Sequence, residues 1–190
     1  MLADYLLIVD VQNDFVSGVL GSEQAQKVVP NIVKRTKEYI DANKPIIVTI
    51  DTHFDNYLET QEGQKLPIKH CMNGTEGQLV VKELDNILRD YTHKTENTHY
   101  VLKEQFGSEK LPSLMDELTD NESASIEILG LDTDCCVLAN AVTLRTMCPQ
   151  LRVIINGNCC AGTDEIAHDN ALEIMETYQM EIIFQKCAIE

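Results

Sequence analysis

Short, continuous apolar runs alternate along this chain with segments that have helical periodicity. Six of the runs have the length and β-branched content of strands, and their lack of polar alternation is typical of strands covered on both faces. Strands that alternate with helices form βαβ units with right-handed crossovers. The pattern therefore predicts an α/β fold, a three-layer α/β/α sandwich around a mostly parallel, Rossmann-like sheet. Its six strands are expected at 5–9, 46–50, 99–102, 125–129, 151–155 and 181–184.

Between these runs, apolar residues recur every three or four positions, as on one face of a helix. We expect one helix to begin at Pro30, because proline suits the first helical turn. Further helices are expected around 79–88, 111–118, 137–144 and 166–175. The length of 190 residues suits one domain. Since no linker, repeat or low-complexity tract divides it, the chain is predicted to be a single domain over 1–190.

The segment 51–77 breaks the rule that connections in a compact domain are short. It contains no convincing helix or strand, and a loop longer than about 12–15 residues is usually functional or disordered. Asp51, His53 and His70 lie within it. We therefore assign this segment a functional role.

Charge and cysteine content exclude several classes of partner. Fifteen Lys and Arg against 31 Asp and Glu give a net charge of −16, which repels phosphate backbones and anionic membranes. We therefore expect neither nucleic acid nor membrane as a partner. No apolar run approaches the roughly 18 residues of a membrane span. Seven cysteines, including two adjacent pairs that suit disulfides poorly, indicate a reducing compartment, so a cytoplasmic protein is predicted.

Polar residues stand where the predicted strands end. Asp10, Asp51 and Lys103 follow or end the first three strands, and a turn that leads to Cys136 follows the fourth. Each has an ordinary explanation, because such an Asp often caps a turn, Lys is usually solvated and buried Cys is usually inert. Ligands of open α/β sheets bind beyond the carboxyl ends of the strands, however. Together these residues predict a catalytic rim.

The turn before the fourth predicted helix suits a nucleophilic thiol. Backbone N–H groups and the positive end of a helix lower a thiol pKa and can hold an oxyanion. Asp10 is placed to take the thiol proton and pass it to a leaving group, while Lys103 balances the charges. On these grounds alone, Cys135 and Cys136 are equally eligible.

The long segment offers donors for a metal ion. Two imidazoles and one carboxylate, from Asp51, His53 and His70, suit Zn(II), Mn(II) or Fe(II) and leave positions open for substrate or water. The alternative is that both histidines only cap turns in a loop. We interpret the other histidines as surface or packing residues; they are His93, His99 and His168.

Five segments carry recognisable motifs in a fixed order along nearly the whole chain. They are LIVDVQNDF at 7–15, DTH at 51–53, PIKHCMNGTEG at 67–77, VLK at 101–103 and GLDTDCCV at 130–137. This set resembles the isochorismatase-like cysteine hydrolases, and among them the nicotinamidases (pyrazinamidases).

The resemblance implies the roles of the rim residues. Asp10, Lys103 and Cys136 match the Asp-Lys-Cys catalytic triad of that family, which selects Cys136 over Cys135. The backbone N–H groups of Asp132 and Cys136 match its oxyanion hole, and a non-proline cis peptide is expected just before Asp132.

The resemblance also implies a metal site and a ring pocket. Asp51, His53 and His70 match the metal ligands, for one divalent ion, with zinc favoured and manganese or iron as alternatives. Phe15 matches an aromatic residue that contacts the substrate ring. Members of the family commonly form homo-oligomers, so self-association is expected.

The implied reaction is hydrolysis of nicotinamide to nicotinate and ammonia through a cysteine thioester, in the service of NAD salvage. Two alternatives are a hydrolase acting on another small amide or carbamoyl compound, and a catalytically silent metal-binding relative. The sequence departs from the nicotinamidase pattern in two places. It contains no Trp, so the segment 66–70 is aliphatic where many nicotinamidases have a Trp, and Asn158 stands where an Asp is common.

Overall fold

A computed structural model describes residues 2–119 and 123–184 of the chain. Within them, six strands form one sheet in the order β3-β2-β1-β4-β5-β6, and every described pairing is parallel. The predicted α/β fold and its parallel six-stranded sheet are therefore confirmed. The strands are β1 Tyr5–Val9, β2 Ile46–Asp51, β3 Thr98–Lys103, β4 Ser125–Leu131, β5 Arg152–Ala161 and β6 Glu181–Ile183.

The helices form two groups. Helices α2 and α4 contact each other and cover one face, while α5, α6 and α7 contact one another in turn and cover the other face. None of the helices in the described ranges is long and apolar enough to span a bilayer. The bounds are α1 Asn13–Val16, α2 Glu23–Asp41, α3 Gln61–Lys65, α4 Lys82–Thr95, α5 Lys110–Thr119, α6 Leu138–Met147 and α7 Glu165–Thr177.

The prediction that a helix begins at Pro30 was wrong. Helix α2 begins at Glu23, where the Ser22 hydroxyl caps it by accepting a hydrogen bond from the Ala25 N–H at 3.0 Å. Pro30 lies inside the helix at an exposed position. There, water can satisfy the one carbonyl group that the missing N–H of proline leaves without a helical partner.

The prediction that 51–77 lacks secondary structure was also wrong. Two single 3₁₀ turns, Tyr57–Glu59 and Glu76–Gln78, and the five-residue helix α3 lie in it. The Thr60 hydroxyl caps α3 by accepting from the Gly63 N–H at 3.0 Å. Elements this short bury no periodic apolar stripe, so their pattern cannot be recognised in the sequence.

The central strands β1 and β4 approach closely at their carboxyl ends. Gly130 has φ +131°, and a Cβ added there would lie 2.1 Å from the Val9 carbonyl oxygen, so only glycine fits. The strand order reverses direction between β1 and β4. In open α/β sheets this switch point is where a crevice for ligands forms.

Candidate active site

The residues predicted at the strand ends meet around this switch point. Asp10 directly follows β1, and Asp51 and Lys103 are the last residues of the adjacent strands β2 and β3. Cys136 lies in the turn after β4 and is buried. Asp10 has φ 49°, a left-handed conformation that is uncommon outside glycine and that often marks functional sites.

Lys103 lies at the centre of a buried charge cluster. Its Nζ is 2.6 Å from Asp10 Oδ2, 2.9 Å from Asp51 Oδ1 and 3.6 Å from Cys136 Sγ. The Thr49 hydroxyl donates to Asp10 Oδ1 at 2.7 Å. The triad suggested by the resemblance is therefore assembled in space, with the lysine between the carboxylates and the thiol.

The charges in this cluster determine where the protons reside. Burial and the neighbouring Asp10 carboxylate raise the pKa of the Cys136 thiol, although Lys103 opposes them. The prediction that the helix end lowers this pKa was therefore wrong, because desolvation of a buried thiolate outweighs the turn's N–H groups. Burial lowers the pKa of Lys103, but Asp10, Cys136 and Asp51 raise it by more, so the ammonium keeps its charge. The resting thiol therefore keeps its proton until a base removes it.

The turn that carries Cys136 has an unusual backbone. The peptide bond between Leu131 and Asp132 is cis, as the resemblance implied. The Asp132 carbonyl then accepts hydrogen bonds from the N–H groups of Cys135 and Val137, both at 3.1 Å. The residues that follow, Thr133–Val137, form one π-helical turn leading into α6. These bonds fix the backbone of Asp132 next to the nucleophilic turn.

Asn140 connects this turn to the loop after β3, although no motif in the sequence singles it out. It is fully buried in α6, where its Nδ2 donates to the carbonyl of Cys136 at 2.8 Å and to that of Phe106 at 3.2 Å. Its Oδ1 accepts from the Ser108 N–H at 2.9 Å. One side-chain amide therefore holds the thiol turn and the loop of Phe106 in a fixed relation.

The predicted metal donors come together beside the triad. Asp51 Oδ2 is 2.9 Å from His53 Nε2 and 3.6 Å from His70 Nε2. A fourth donor, which the sequence reading missed, comes from α3: Glu62 Oε1 is 3.6 Å and 3.8 Å from the same two nitrogens. Nothing in the sequence singled out Glu62 except its position between the histidines.

This donor set fits a divalent cation. Bonds of about 2.0–2.2 Å to a four-coordinate zinc ion separate its ligand atoms by roughly 3.3–3.6 Å, close to the spacings observed here. His53 Nε2 is buried without a hydrogen-bond partner, although it faces the Asp51 carboxylate at 2.9 Å. The Ile68 carbonyl lies 2.9 Å from His70 Nδ1 and is placed to accept its proton, which leaves the Nε2 lone pair for a metal.

Residues of the first motif support these donors. The Gln12 side chain accepts from the Asp51 N–H and donates to the Asp51 carbonyl, both at 2.8 Å. Asp14 Oδ2 accepts from the Cys71 N–H at 2.7 Å, next to His70. The motif after β1 therefore positions the metal donors as well as Asp10.

Thiol and metal donors open into one cavity of about 300 Å³. Its polar wall includes Asp51, Glu62, His70, Asp132 and Cys136, and its apolar wall includes Phe15, Leu20, Leu66 and Phe106. The Phe15 and His70 rings meet edge to face, with centroids 5.5 Å apart.

Two sequence departures can be placed in this structure. Leu66, in the segment that lacks the family's Trp, lines the cavity, and Phe106 supplies a second aromatic ring that the sequence reading did not anticipate. Asn158 lies in β5, where its carbonyl accepts from Asn31 Nδ2 at 2.9 Å. Nothing in the structure explains the choice of its side chain.

Comparisons with known proteins find relatives along most of the chain. The chain is 27% identical to a nicotinamidase of Escherichia coli (strain K12) over 192 aligned residues, which cover 90% of this chain and 89% of that protein. It is 25% identical to the crystal structure of nicotinamidase PncA from Bacillus subtilis, with a TM-score of 0.82 and coverage of 94% and 97%. A pyrazinamidase of Pyrococcus horikoshii in complex with zinc has the same fold, at 20% identity, a TM-score of 0.77 and coverage of 94% and 97%.

A family sequence profile matches nearly the whole length of the chain. The profile of the family described as the isochorismatase domain matches residues 4–185, which contain all the strands, the thiol turn and the metal donors. On this ground the chain belongs to the isochorismatase family.

Proposed function

We propose that this protein is a metal-dependent amidohydrolase that converts nicotinamide to nicotinate and ammonia and so serves NAD salvage. The observation that carries the proposal is the buried Asp10–Lys103–Cys136 cluster, which opens on the same cavity as a four-donor metal site. The names of the E. coli and B. subtilis relatives support the choice of substrate.

In the first step, Asp10 removes the Cys136 proton and the sulfur forms a bond to the carboxamide carbon. The raised pKa values of both groups suit this transfer, because burial raises the pKa of Asp10 despite the nearby Lys103. The oxyanion that forms is stabilised by the backbone N–H groups of Asp132 and Cys136. The Lys103 ammonium balances the negative charge as it moves from the Asp10 carboxylate to the sulfur and then to the oxyanion.

The second half of the reaction releases both products. The carbon–nitrogen bond breaks as the proton held by Asp10 passes to the leaving nitrogen, which departs as ammonia and leaves a thioester on Cys136. Water then attacks the thioester carbon and gives a proton to Asp10. Cleavage of the carbon–sulfur bond releases the carboxylic acid, and the Asp10 proton returns to the sulfur.

Asp51, His53 and His70 would hold the metal ion, with Glu62 as a further donor. When bound, the ion supplies a Lewis acid that can orient the pyridine nitrogen of the substrate. We propose zinc, with manganese or iron as alternatives, because a His₂-carboxylate set accepts all three. Phe15 is proposed to contact the substrate ring from the apolar wall of the cavity.

A different small amide or carbamoyl substrate is the second candidate. The observation that favours it is Leu66, which gives the cavity an aliphatic surface in the segment where many nicotinamidases carry Trp. The chemistry of Cys136 is the same in both candidates.

We also propose a cytoplasmic homo-oligomer. The six described cysteines are free, which supports a reducing compartment. On the edge strand β3, Tyr100 and Leu102 are 42% and 50% exposed, and such apolar side chains support self-association. Sedimentation of the purified protein tests the oligomer, and a monomer at micromolar concentration would contradict it.

The deciding experiment is ammonia release from nicotinamide by wild type, Cys136→Ala and the matched control Cys135→Ala. We expect turnover in wild type and in the control, and a loss of at least about 10³-fold in Cys136→Ala with metal content retained. Removing the metal by chelation should also abolish turnover, and adding zinc should restore it. If nicotinamide remains intact while other amides are hydrolysed, the second candidate replaces the first.

A further inference from the structure

Asp132 contributes an unpaired carboxyl group to the catalytic cavity. Its neighbours in the cluster are paired, since Asp10 and Asp51 both contact Lys103, and Glu62 faces the metal donors. Across residues 2–119 and 123–184, no hydrogen bond or ion pair reaches the Asp132 carboxylate, although the residue lines the cavity. A partly buried carboxylate without a protein donor takes its hydrogen bonds from whatever occupies the cavity, so a bound ligand that offers an N–H group is favoured here.

The backbone holds Asp132 next to the nucleophilic turn, and both Asp132 and Cys136 line one cavity. The Asp132 carbonyl is held by the N–H groups of Cys135 and Val137, so its Cα cannot move away from the nucleophilic turn. Any acyl group attached to Cys136 Sγ lies in the same cavity as the Asp132 side chain. An additional negative charge in this place is unfavourable, because burial together with Asp134 and Asp10 already raises the pKa of Asp132 to about 7.

The substrate and the product of amide hydrolysis differ in charge and in their N–H donors, and a nearby carboxyl group responds to both differences. A primary carboxamide is neutral and carries two N–H donors, and its nitrogen gains a proton as it leaves. The carboxylic acid product ionises to a carboxylate, which has no donor and carries a negative charge.

We propose that the Asp132 carboxyl distinguishes the amide substrate from the carboxylate product, by accepting a hydrogen bond from the amide nitrogen and repelling the carboxylate. Asp132 thereby limits the substrate class to amides with a free N–H₂ group and no anion beside the carbonyl. This inference rests on the proposed amidohydrolase function. It gives the Asp132 side chain a role separate from that of its backbone N–H.

The test compares Asp132→Asn, which keeps the shape and the backbone, with wild type and with Glu104→Gln, which removes an exposed carboxylate outside this cavity. Competitive inhibition by nicotinate and by the neutral ketone 3-acetylpyridine is measured at pH 8.5, above the Asp132 pKa of about 7. We expect the nicotinate inhibition constant to fall about tenfold in Asp132→Asn, as for removal of a nearby charge. The inhibition constant of the ketone in Asp132→Asn should differ from that of wild type by less than twofold. The same is expected for the inhibition constants of both compounds in Glu104→Gln.

Equal inhibition by nicotinate in wild type and Asp132→Asn overturns the inference. Asp132→Ala provides a second variant if the first does not fold, and the wild-type preference for the ketone over nicotinate provides a test without any variant. If wild type releases ammonia but shows none of these differences, only the inference on Asp132 fails. If another amide proves to be the substrate, its acid and its methyl ketone replace the two inhibitors, so the two failures are distinguishable.

Discussion

Two buried clusters of charge lie on the same sheet, one in the core and one at the carboxyl ends of the strands. In the core, Arg35 of α2 donates to both carboxylate oxygens of Glu127 in β4, at 2.7 and 2.6 Å. Tyr39 and Asn156 donate to the same carboxylate at 2.9 and 2.8 Å. Glu127 is 1% exposed, and its carboxylate has four donors.

The rim cluster combines buried groups, such as Asp10 and Lys103, with partly buried ones such as Asp132, and it is open to a cavity. Lys103 neutralises part of the charge of Asp10 and Asp51, while the Asp132 carboxylate has no donor among the described residues. Asp132 lines the cavity. Burial of charge is therefore common to both clusters and does not identify a site. What distinguishes the functional cluster is that Asp51, Asp132 and Cys136 line a cavity that can hold a ligand, whereas the Glu127 carboxylate is enclosed by its four donors.

The largest expected effect comes from removing the base of the rim cluster. Asp10→Asn should lower kcat for ammonia release by about 10³–10⁴-fold, because the buried thiol then has no group to take its proton. Its free energy of unfolding should change little, since Lys103 retains Asp51 and the Gln105 carbonyl as partners. Steady-state kinetics and denaturant unfolding of the same preparation check both parts. A catalytically competent variant would remove Asp10 from the proposed mechanism.

In the core cluster, the same kind of substitution should affect stability instead. Glu127→Gln should lower the free energy of unfolding by about 3–5 kcal/mol, because Arg35 remains buried without its main counter-charge. Activity per folded molecule should be unchanged. The double variant Arg35→Met/Glu127→Leu should recover most of the stability, since it removes both charges. Loss of activity in fully folded Glu127→Gln would show that the clusters are coupled.

The unpaired carboxyl of Asp132 should make stability depend on pH. Its pKa of about 7 lies above the 3.8 of an unfolded Asp, so the folded state binds more protons between these values and stability falls as the pH rises through this window. Asp132→Asn should therefore stabilise the fold by about 2–4 kcal/mol at pH 8 and by little at pH 4. Urea unfolding at the two pH values measures this difference. An equal effect at both would mean that the carboxyl is not desolvated.

The smallest expected effect concerns the apolar wall of the cavity. Leu66→Trp should lower the KM for nicotinamide about threefold and leave kcat within twofold, because an added aromatic contact contributes about 0.5–1.5 kcal/mol. Leu79→Trp, at an exposed position that does not line the cavity, serves as the control. An increase in KM in Leu66→Trp alone would indicate that the aliphatic wall accommodates a substrate of another shape.

Local patterns in the sequence predicted much of this molecule. All six strands were placed correctly to within about a residue at their first positions, and the residues that end them, such as Asp10 and Lys103, meet at one rim. Several predictions failed, among them two where local signals were short or ambiguous. Pro30 lies within a helix that Ser22 caps, and β5 continues six residues beyond the predicted end at 155, past an irregularity in its pairing with β4.

By itself, the sequence determined the sheet, the identity of the rim residues and the resemblance to one family, because periodicity and motif order are properties of neighbouring residues. Only the tertiary structure decided that Glu62 lies beside the metal donors and that Asn140 connects two distant loops. It also decided that the Asp132 carboxylate has no partner among the described residues and that the Cys136 pKa rises. Contacts between distant residues and desolvation depend on how the chain encloses a group in three dimensions, which no local pattern specifies.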